Sequence, residues 1–159
     1  MAENVTFRRA VVGEAEAIAD MWLRSRAASV PAIPPPVHTD DEVRRHFAEI
    51  LVPKRETWIA EAASGEIVGV LVLHDAWLDQ LYIDPAWTGR GIGSRLLELA
   101  KIRRPEGLDL WAFQANGGAL AFYERHGFIE VDSTDDDNEE GAPDVRYEWR
   151  SPSDPSATS

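Results

Sequence analysis

No cysteine occurs anywhere in the chain, and that absence excludes disulfides, a thiol nucleophile and thiolate-bound zinc. Histidine is scarce as well: the four present, His38, His46, His74 and His126, include no pair at helical ligand spacing and no HExxH run. No metal is expected. Apolar residues make up 44% of the 159 positions, yet they never run together for the ~18 positions a membrane-spanning helix requires. Met1-Ala2-Glu3-Asn4 lacks the basic-then-apolar pattern of a secretory leader, so the chain reads as a soluble, cytoplasmic protein. Positive charge is in deficit, with a net charge of −12. That balance disfavours nucleic acid and anionic membranes as partners and favours cationic small molecules or basic peptides.

What is present fits one domain over 1–150 followed by a Ser/Pro-rich tail over 151–159, expected to be mobile. Val5-Thr6-Phe7-Arg8 alternates as a strand, and Gly13 to Ala28 carries Ile18, Met21 and Trp22 at helical spacing. The run Pro31-Ala32-Ile33-Pro34-Pro35-Pro36 cannot continue a helix and predicts a loop. Thr39-Asp40-Asp41-Glu42 is a capping box that opens a second helix, expected to reach about Leu51. Glu56–Ala62 and Ile67–Leu73 form a hairpin around Ser64-Gly65, and Trp77–Ile83 is a third strand in series. A helix over Ser94–Arg103, a strand over Leu108–Phe113, a helix over Ala119–His126 and a last strand pair, Phe128–Val131 and Val145–Trp149, complete the chain. The order β-α-α-β-β-β-α-β-α-β-β predicts an α+β fold with a mixed, mostly antiparallel sheet flanked by helices.

The segment Gly89-Arg90-Gly91-Ile92-Gly93 lies directly after a strand and directly before a helix. Glycines at alternate positions let the backbone approach a ligand closely and aim several amides at one place, where the helix dipole adds its own attraction for anions. Phosphate oxygens suit such a place. The same spacing also occurs in ordinary tight connections, so the context has to decide. No Gly-Lys-Ser/Thr follows, which excludes a Walker A loop, and the third glycine is one residue too early for the dinucleotide fingerprint.

The run Leu81-Tyr82-Ile83-Asp84-Pro85-Ala86-Trp87-Thr88-Gly89-Arg90-Gly91-Ile92-Gly93-Ser94-Arg95-Leu96-Leu97 resembles the acetyl-CoA motif of the GNAT superfamily of N-acetyltransferases. Downstream, Asn116 and Ala121-Phe122-Tyr123-Glu124-Arg125-His126-Gly127-Phe128 resemble that family's second cofactor segment. The element order is similar from Val5 to Trp149. One departure is Thr88, where the family often carries glutamine.

The resemblance implies acetyl-CoA as cosubstrate, with pantetheine lying in a gap between Leu81–Ile83 and Trp111–Phe113. It implies Gly89, Arg90, Gly91, Gly93 and Ser94 at the pyrophosphate, with Thr88 beside them. It also implies a backbone amide near Leu81 or Tyr82 on the acyl carbonyl and Asn116 on the pantetheine arm. Tyr123, seven residues after Asn116, takes the place of the family's acid for the leaving thiolate. Asp79 is the candidate base for the amine, on the expectation that it shares a strand face with Leu81 and Ile83, with His38 and His74 as alternatives. A small-molecule or peptide amine is the implied acceptor, sought near Trp22, Arg24, Ser29, His38 and the loop Asp132–Glu140, which holds six acidic residues in nine positions. The implied reaction is direct transfer in a ternary complex. A catalytically silent module of the same fold, and association into a homodimer, stay open at this level.

Overall fold

A computed structural model of the protein describes residues 4–29, 37–135 and 142–151. In chain order the elements are β1 (Val5–Arg9), α1 (Ala15–Ala28), α2 (Asp40–His46), α3 (Val52–Lys54), β2 (Glu56–Ala62), β3 (Ile67–His74) and β4 (Trp77–Ile83). They continue with α4 (Ile92–Arg103), β5 (Gly107–Phe113), α5 (Gly117–Arg125), β6 (Ile129–Ser133) and β7 (Asp144–Arg150). Apart from the single turn α3, this is the order expected from the sequence. The proline run at 31–36 and most of the acidic loop, 136–140, lie outside the described residues, as does the tail beyond Ser151.

One seven-stranded sheet runs in the order β1-β2-β3-β4-β5-β7-β6. Every neighbouring pair is antiparallel except β4 and β5. At the centre, β3 sends Val70 and Val72 into one apolar cluster and Leu71 and Leu73 into another. Burial on both faces explains why β3 reads as a continuous apolar run instead of an alternating one. The first cluster packs under α1 and α2 through Ile18, Met21, Val43 and Phe47. The second packs under α4 and α5 through Leu96, Leu97, Ala100 and Tyr123.

The capping box at the start of α2 forms as its sequence requires: Glu42 N–H donates to Thr39 Oγ1 at 3.1 Å, and Thr39 N–H donates to Glu42 Oε1 at 2.8 Å. The helix does not stop at Leu51, however. Phe47–Leu51 widens into a π turn, in which Val52 N–H reaches Phe47 O, and the chain stays helical to Lys54. Pro53 supplies the reason, because it has no amide to donate and its ring crowds the preceding turn, so the helix widens there without ending.

Candidate active site

Parallel pairing of β4 with β5 is confined to one register position, Trp77 opposite Asp109. Beyond it the two strands diverge, and β5 takes all its further partners from β7. The divergence leaves one edge of β4 open. Asp84 N–H donates to Val68 O at 2.9 Å, and antiparallel strands alternate bonded and non-bonded pairs. By that parity Tyr82 faces β3 with its amide, whereas Leu81 and Ile83 turn theirs into the gap. Of the two amides expected at the acyl carbonyl, that of Leu81 faces the gap and that of Tyr82 faces β3, while the Tyr82 ring packs edge-on against Trp22 at 5.5 Å between centroids.

The gap opens into a cleft of about 710 Å³. Leu81, Tyr82 and Ile83 form one wall; Thr88, Gly89, Gly91, Gly93 and Ser94 form one end; Asn116, Phe122 and Tyr123 of the α5 segment form the other wall. Ser25 of α1 and Ser29, the C-cap of that helix, close it on a further side. Ten of the cofactor-binding and catalytic candidates named from the sequence thus come together here, with Ser29 of the acceptor-side candidates. Arg90 lies beside them, its guanidinium stacked over the Trp87 ring at 4.5 Å.

Gly89 and Gly91 have φ of 78° and 81°, the left-handed region that side chains with a Cβ rarely enter. A Cβ at either position would meet nothing within 4 Å, so the turn faces open space. Gly91 is also the N-cap of α4, which leaves the first amides of that helix directed outward. Ser94 Oγ lies 3.1 Å from His126 Nε2, with Glu98 Oε1 3.7 Å from His126 Nδ1. Nothing local along the chain marks this contact, since it joins α4 to the residue capping α5.

Two assignments change in detail. Thr88 Oγ1 donates its hydrogen to Pro85 O at 3.2 Å, so its hydroxyl is engaged in holding the turn. Asn116 Oδ1 accepts from Ala119 N–H at 3.2 Å as the cap of α5, which is why the helix begins at Gly117, two residues earlier than the pattern suggested. The side-chain NH₂ of Asn116 makes no hydrogen bond to a described residue, and Oδ1 keeps one lone pair. Asp84, named from the sequence only within the motif run, anchors the start of the turn. It is 5% exposed, accepts from Ala86 N–H at 3.0 Å and receives Arg24 Nη2 at 2.8 Å.

Tyr123 is 8% exposed and lines the cleft. Burial pushes its phenol above the ordinary value of 10, and proximity to Tyr82 adds to the effect, so the hydroxyl stays protonated and able to donate.

Asp79 is not in this cleft. The register of β4 against β3 slips between Val72–Gln80 and Leu73–Leu78, leaving Asp79 as the extra residue of a bulge, and a bulge re-aims the side chains around it. The expected shared face with Leu81 and Ile83 is lost. Asp79 lines a separate cleft of about 220 Å³ with His74, Trp77, Leu78 and Trp111. Its carboxyl is pushed up by desolvation, against the opposing charges of Arg55, His46 and His74. Among the described residues no carboxylate lines the larger cleft, no group of three metal-binding side chains forms, and no helix is long and apolar enough to cross a membrane.

Residues 53–130, which span the turn and the splayed strands, match the family model described as the acetyltransferase (GNAT) domain. Over 125 residues the chain is 31% identical to an amino-acid acetyltransferase of Mycobacterium tuberculosis, covering 70% of this chain and 69% of that protein. The chain belongs to the GNAT acetyltransferase family. This GNAT domain is also 30% identical over 127 residues to the peptidyl-lysine N-acetyltransferase YjaB of Salmonella typhimurium, covering 78% of this chain and 83% of that protein. The solution structure of apo YjaB from Escherichia coli superimposes with a TM-score of 0.74 at 26% identity, covering 92% of this chain and 98% of the other. Such relatives identify the GNAT domain as an N-acetyltransferase and speak against a silent module of the same fold.

Proposed function

We propose that this GNAT domain transfers an acetyl group from acetyl-CoA directly to a primary amine held in the same cleft. The observation that carries the reading is the convergence, in one cleft, of the positive-φ glycine turn, the open amide edge of β4 and the Tyr123 hydroxyl. The turn fits a diphosphate, because space is open in front of Gly89 and Gly91 and the amides of the first α4 turn are unused by the helix. Bound there, acetyl-CoA supplies an activated thioester.

The remaining chemistry belongs to the chain. Leu81 N–H would donate to the acyl oxygen as it gains charge, an interaction worth about 2.7–4 kcal/mol in the transition state for one well-aimed donor. Tyr123, kept protonated by its surroundings, would hand its proton to the departing sulfur, a role worth ~10²–10⁴ in rate. With no carboxylate among the described residues of the cleft wall, the amine would lose its proton to water held at the Ser25 and Ser29 hydroxyls. Direct attack is favoured over an acyl-enzyme by the lack of cysteine and by the engagement of Ser29, whose hydroxyl donates to Ser25 O at 2.9 Å. The names of the relatives, an amino-acid and a peptidyl-lysine acetyltransferase, support a small-molecule or peptide amine as acceptor.

The test has two stages. Acetyl-CoA at a hundred times its Kd should stabilise the fold by about 2.7 kcal/mol, with no comparable effect from ATP or NAD. Release of free thiol should then depend on an added amine. Stabilisation without any amine-dependent thiol release, across amino acids, polyamines and peptides, would sink the transferase reading.

A further inference from the structure

A titratable side chain behind the glycine-turn end of the larger cleft is not used by the chemistry above. His126, the C-cap of α5, lays its ring against α4, with the imidazole only 19% exposed. Nε2 lies 3.1 Å from Ser94 Oγ, and Nδ1 faces Glu98 Oε1 at 3.7 Å. Ser94 in turn lines the cleft beside Gly91 and Gly93. The histidine therefore meets the cleft through the serine hydroxyl.

Charges act on the ring from both helices. On α4, the Glu98 carboxylate favours an imidazolium, whereas Lys101 opposes it, its Nζ donating to His126 O at 2.5 Å and lying 3.8 Å from Glu98 Oε1. Arg95, next to Ser94, is held over the Phe7 ring at 4.3 Å. On α5, Arg125 lines the cleft and Glu124 accepts from the Tyr147 hydroxyl. The Phe122 ring lies 4.7 Å from the imidazole, and aromatic rings attract cations.

The proton on the ring decides what Ser94 offers. With Nδ1 carrying its hydrogen towards Glu98, neutral His126 has a bare Nε2, which takes the Ser94 hydroxyl hydrogen and leaves only lone pairs towards the cleft. Such lone pairs repel a phosphate oxygen. Once Nε2 is protonated it donates to Ser94 Oγ, and the hydroxyl hydrogen is released to point into the cleft.

We propose that His126 is a positioning residue for the cofactor: its protonation reverses the Ser94–His126 hydrogen bond and makes the Ser94 hydroxyl a phosphate donor, so that acetyl-CoA binding takes up a proton. The proposal rests on the reading that the glycine turn holds the diphosphate. Imidazole changes charge between about pH 5 and 8. A complex that keeps the proton loses affinity as the pH rises and the free protein gives it up. One hydrogen bond to a charged acceptor supports a change of about 10-fold in Kd.

Calorimetric titration across about pH 5.5–8 tests it. The probe is 3′-dephospho-acetyl-CoA, because a phosphate monoester titrates at about pH 6 and would mask the protein's own proton. Kd should rise about 10-fold from the acid to the alkaline end, and heats in two buffers of different ionisation enthalpy should report proton uptake. His126→Gln, whose amide can donate to Ser94 Oγ at every pH, should keep a Kd near the acid-end value throughout. Ser94→Ala should bind weakly with little slope, and it serves if the His126 variant does not fold. If the probe binds too weakly, acetyl-CoA replaces it and the difference in slope between wild type and variant is read. A flat Kd, tighter binding at alkaline pH, or an undiminished slope in either variant overturns the proposal. Where acetyl-CoA binds with such a result, only the His126 link is wrong; where neither compound binds at any pH, the diphosphate reading of the turn falls with it.

Discussion

Arg24 Nη2 of α1 lies 2.8 Å from the buried carboxylate of Asp84, which itself caps the turn by accepting from Ala86 N–H. The pair ties α1 to the entrance of the glycine turn.

Removing the carboxylate should therefore loosen the turn. Asp84→Ala is expected to cost about 1–2 kcal/mol of stability through the lost cap and its charged hydrogen bond and to weaken acetyl-CoA binding. Arg24→Ala should cost less, since the Arg24 side chain is half-exposed and such pairs contribute about 0–1 kcal/mol. Chemical denaturation and calorimetric titration with acetyl-CoA check both; equal losses from the two variants would contradict the assignment of the cap to Asp84.

Tyr123→Phe separates binding from chemistry. No described protein group hydrogen-bonds the Tyr123 hydroxyl, so its loss should leave the fold and the stabilisation by acetyl-CoA nearly unchanged while turnover falls ~10²–10⁴-fold. Because burial raises the phenol above 10, the wild-type pH–rate profile should show no basic limb from this group below about pH 10. A collapse of cofactor binding in the variant would remove Tyr123 from the chemical step.

Gly91→Ala places a Cβ at φ 81°. The strain of the left-handed region is about 1–2 kcal/mol for such a residue, and open space at that Cβ rules out any clash as the cause. Thermal melting should show a loss of this size, and acetyl-CoA affinity should fall with it.

Glu56 sets an acid limit on stability. Burial alone would raise its carboxyl, but hydrogen bonds from Arg103, Trp58 and Arg104 outweigh that effect and hold it near 2, against an ordinary 4.5. A carboxyl depressed on folding stabilises the protein above its unfolded value, and the contribution disappears as the pH falls through the folded one. Stability should drop by about 2–3 kcal/mol between roughly pH 4.5 and 2. Glu56→Gln should flatten that part of the curve in denaturant titrations at graded pH.

Asp79→Asn tests the leading sequence-derived base, which the fold sets apart from the larger cleft. A general base would cost ~10²–10⁴ in kcat/KM on removal; a carboxylate in the neighbouring cleft with His74 and Trp111 should cost far less. Steady-state kinetics with one good acceptor decides between them.

Local signals carried most of the fold. The Thr39–Glu42 box, the punctuation by Gly65 and Gly127 and the glycine turn act within a few residues of themselves, and each forms where its chemistry requires. What escaped the sequence depends on partners distant along the chain. The bulge at Asp79 is a matter of register against β3, and no property of β4 alone reveals it. Asn116 could be marked as a site residue, but its engagement as a helix cap depends on where α5 begins. His126 reads as one of four scattered histidines; only the packing of α5 against α4 sets its ring beside Ser94.

The single bridge between Trp77 and Asp109 has a further consequence. Past that rivet the sheet carries an internal seam with peptide groups exposed on the β4 lip, the kind of surface on which a stray extended peptide can zip up. Water must wet the seam whenever nothing else occupies it. A small molecule that fills it acts as a plug against mispairing, so prolonged starvation of such a molecule should make the protein more prone to aggregate at a temperature where its fold still holds.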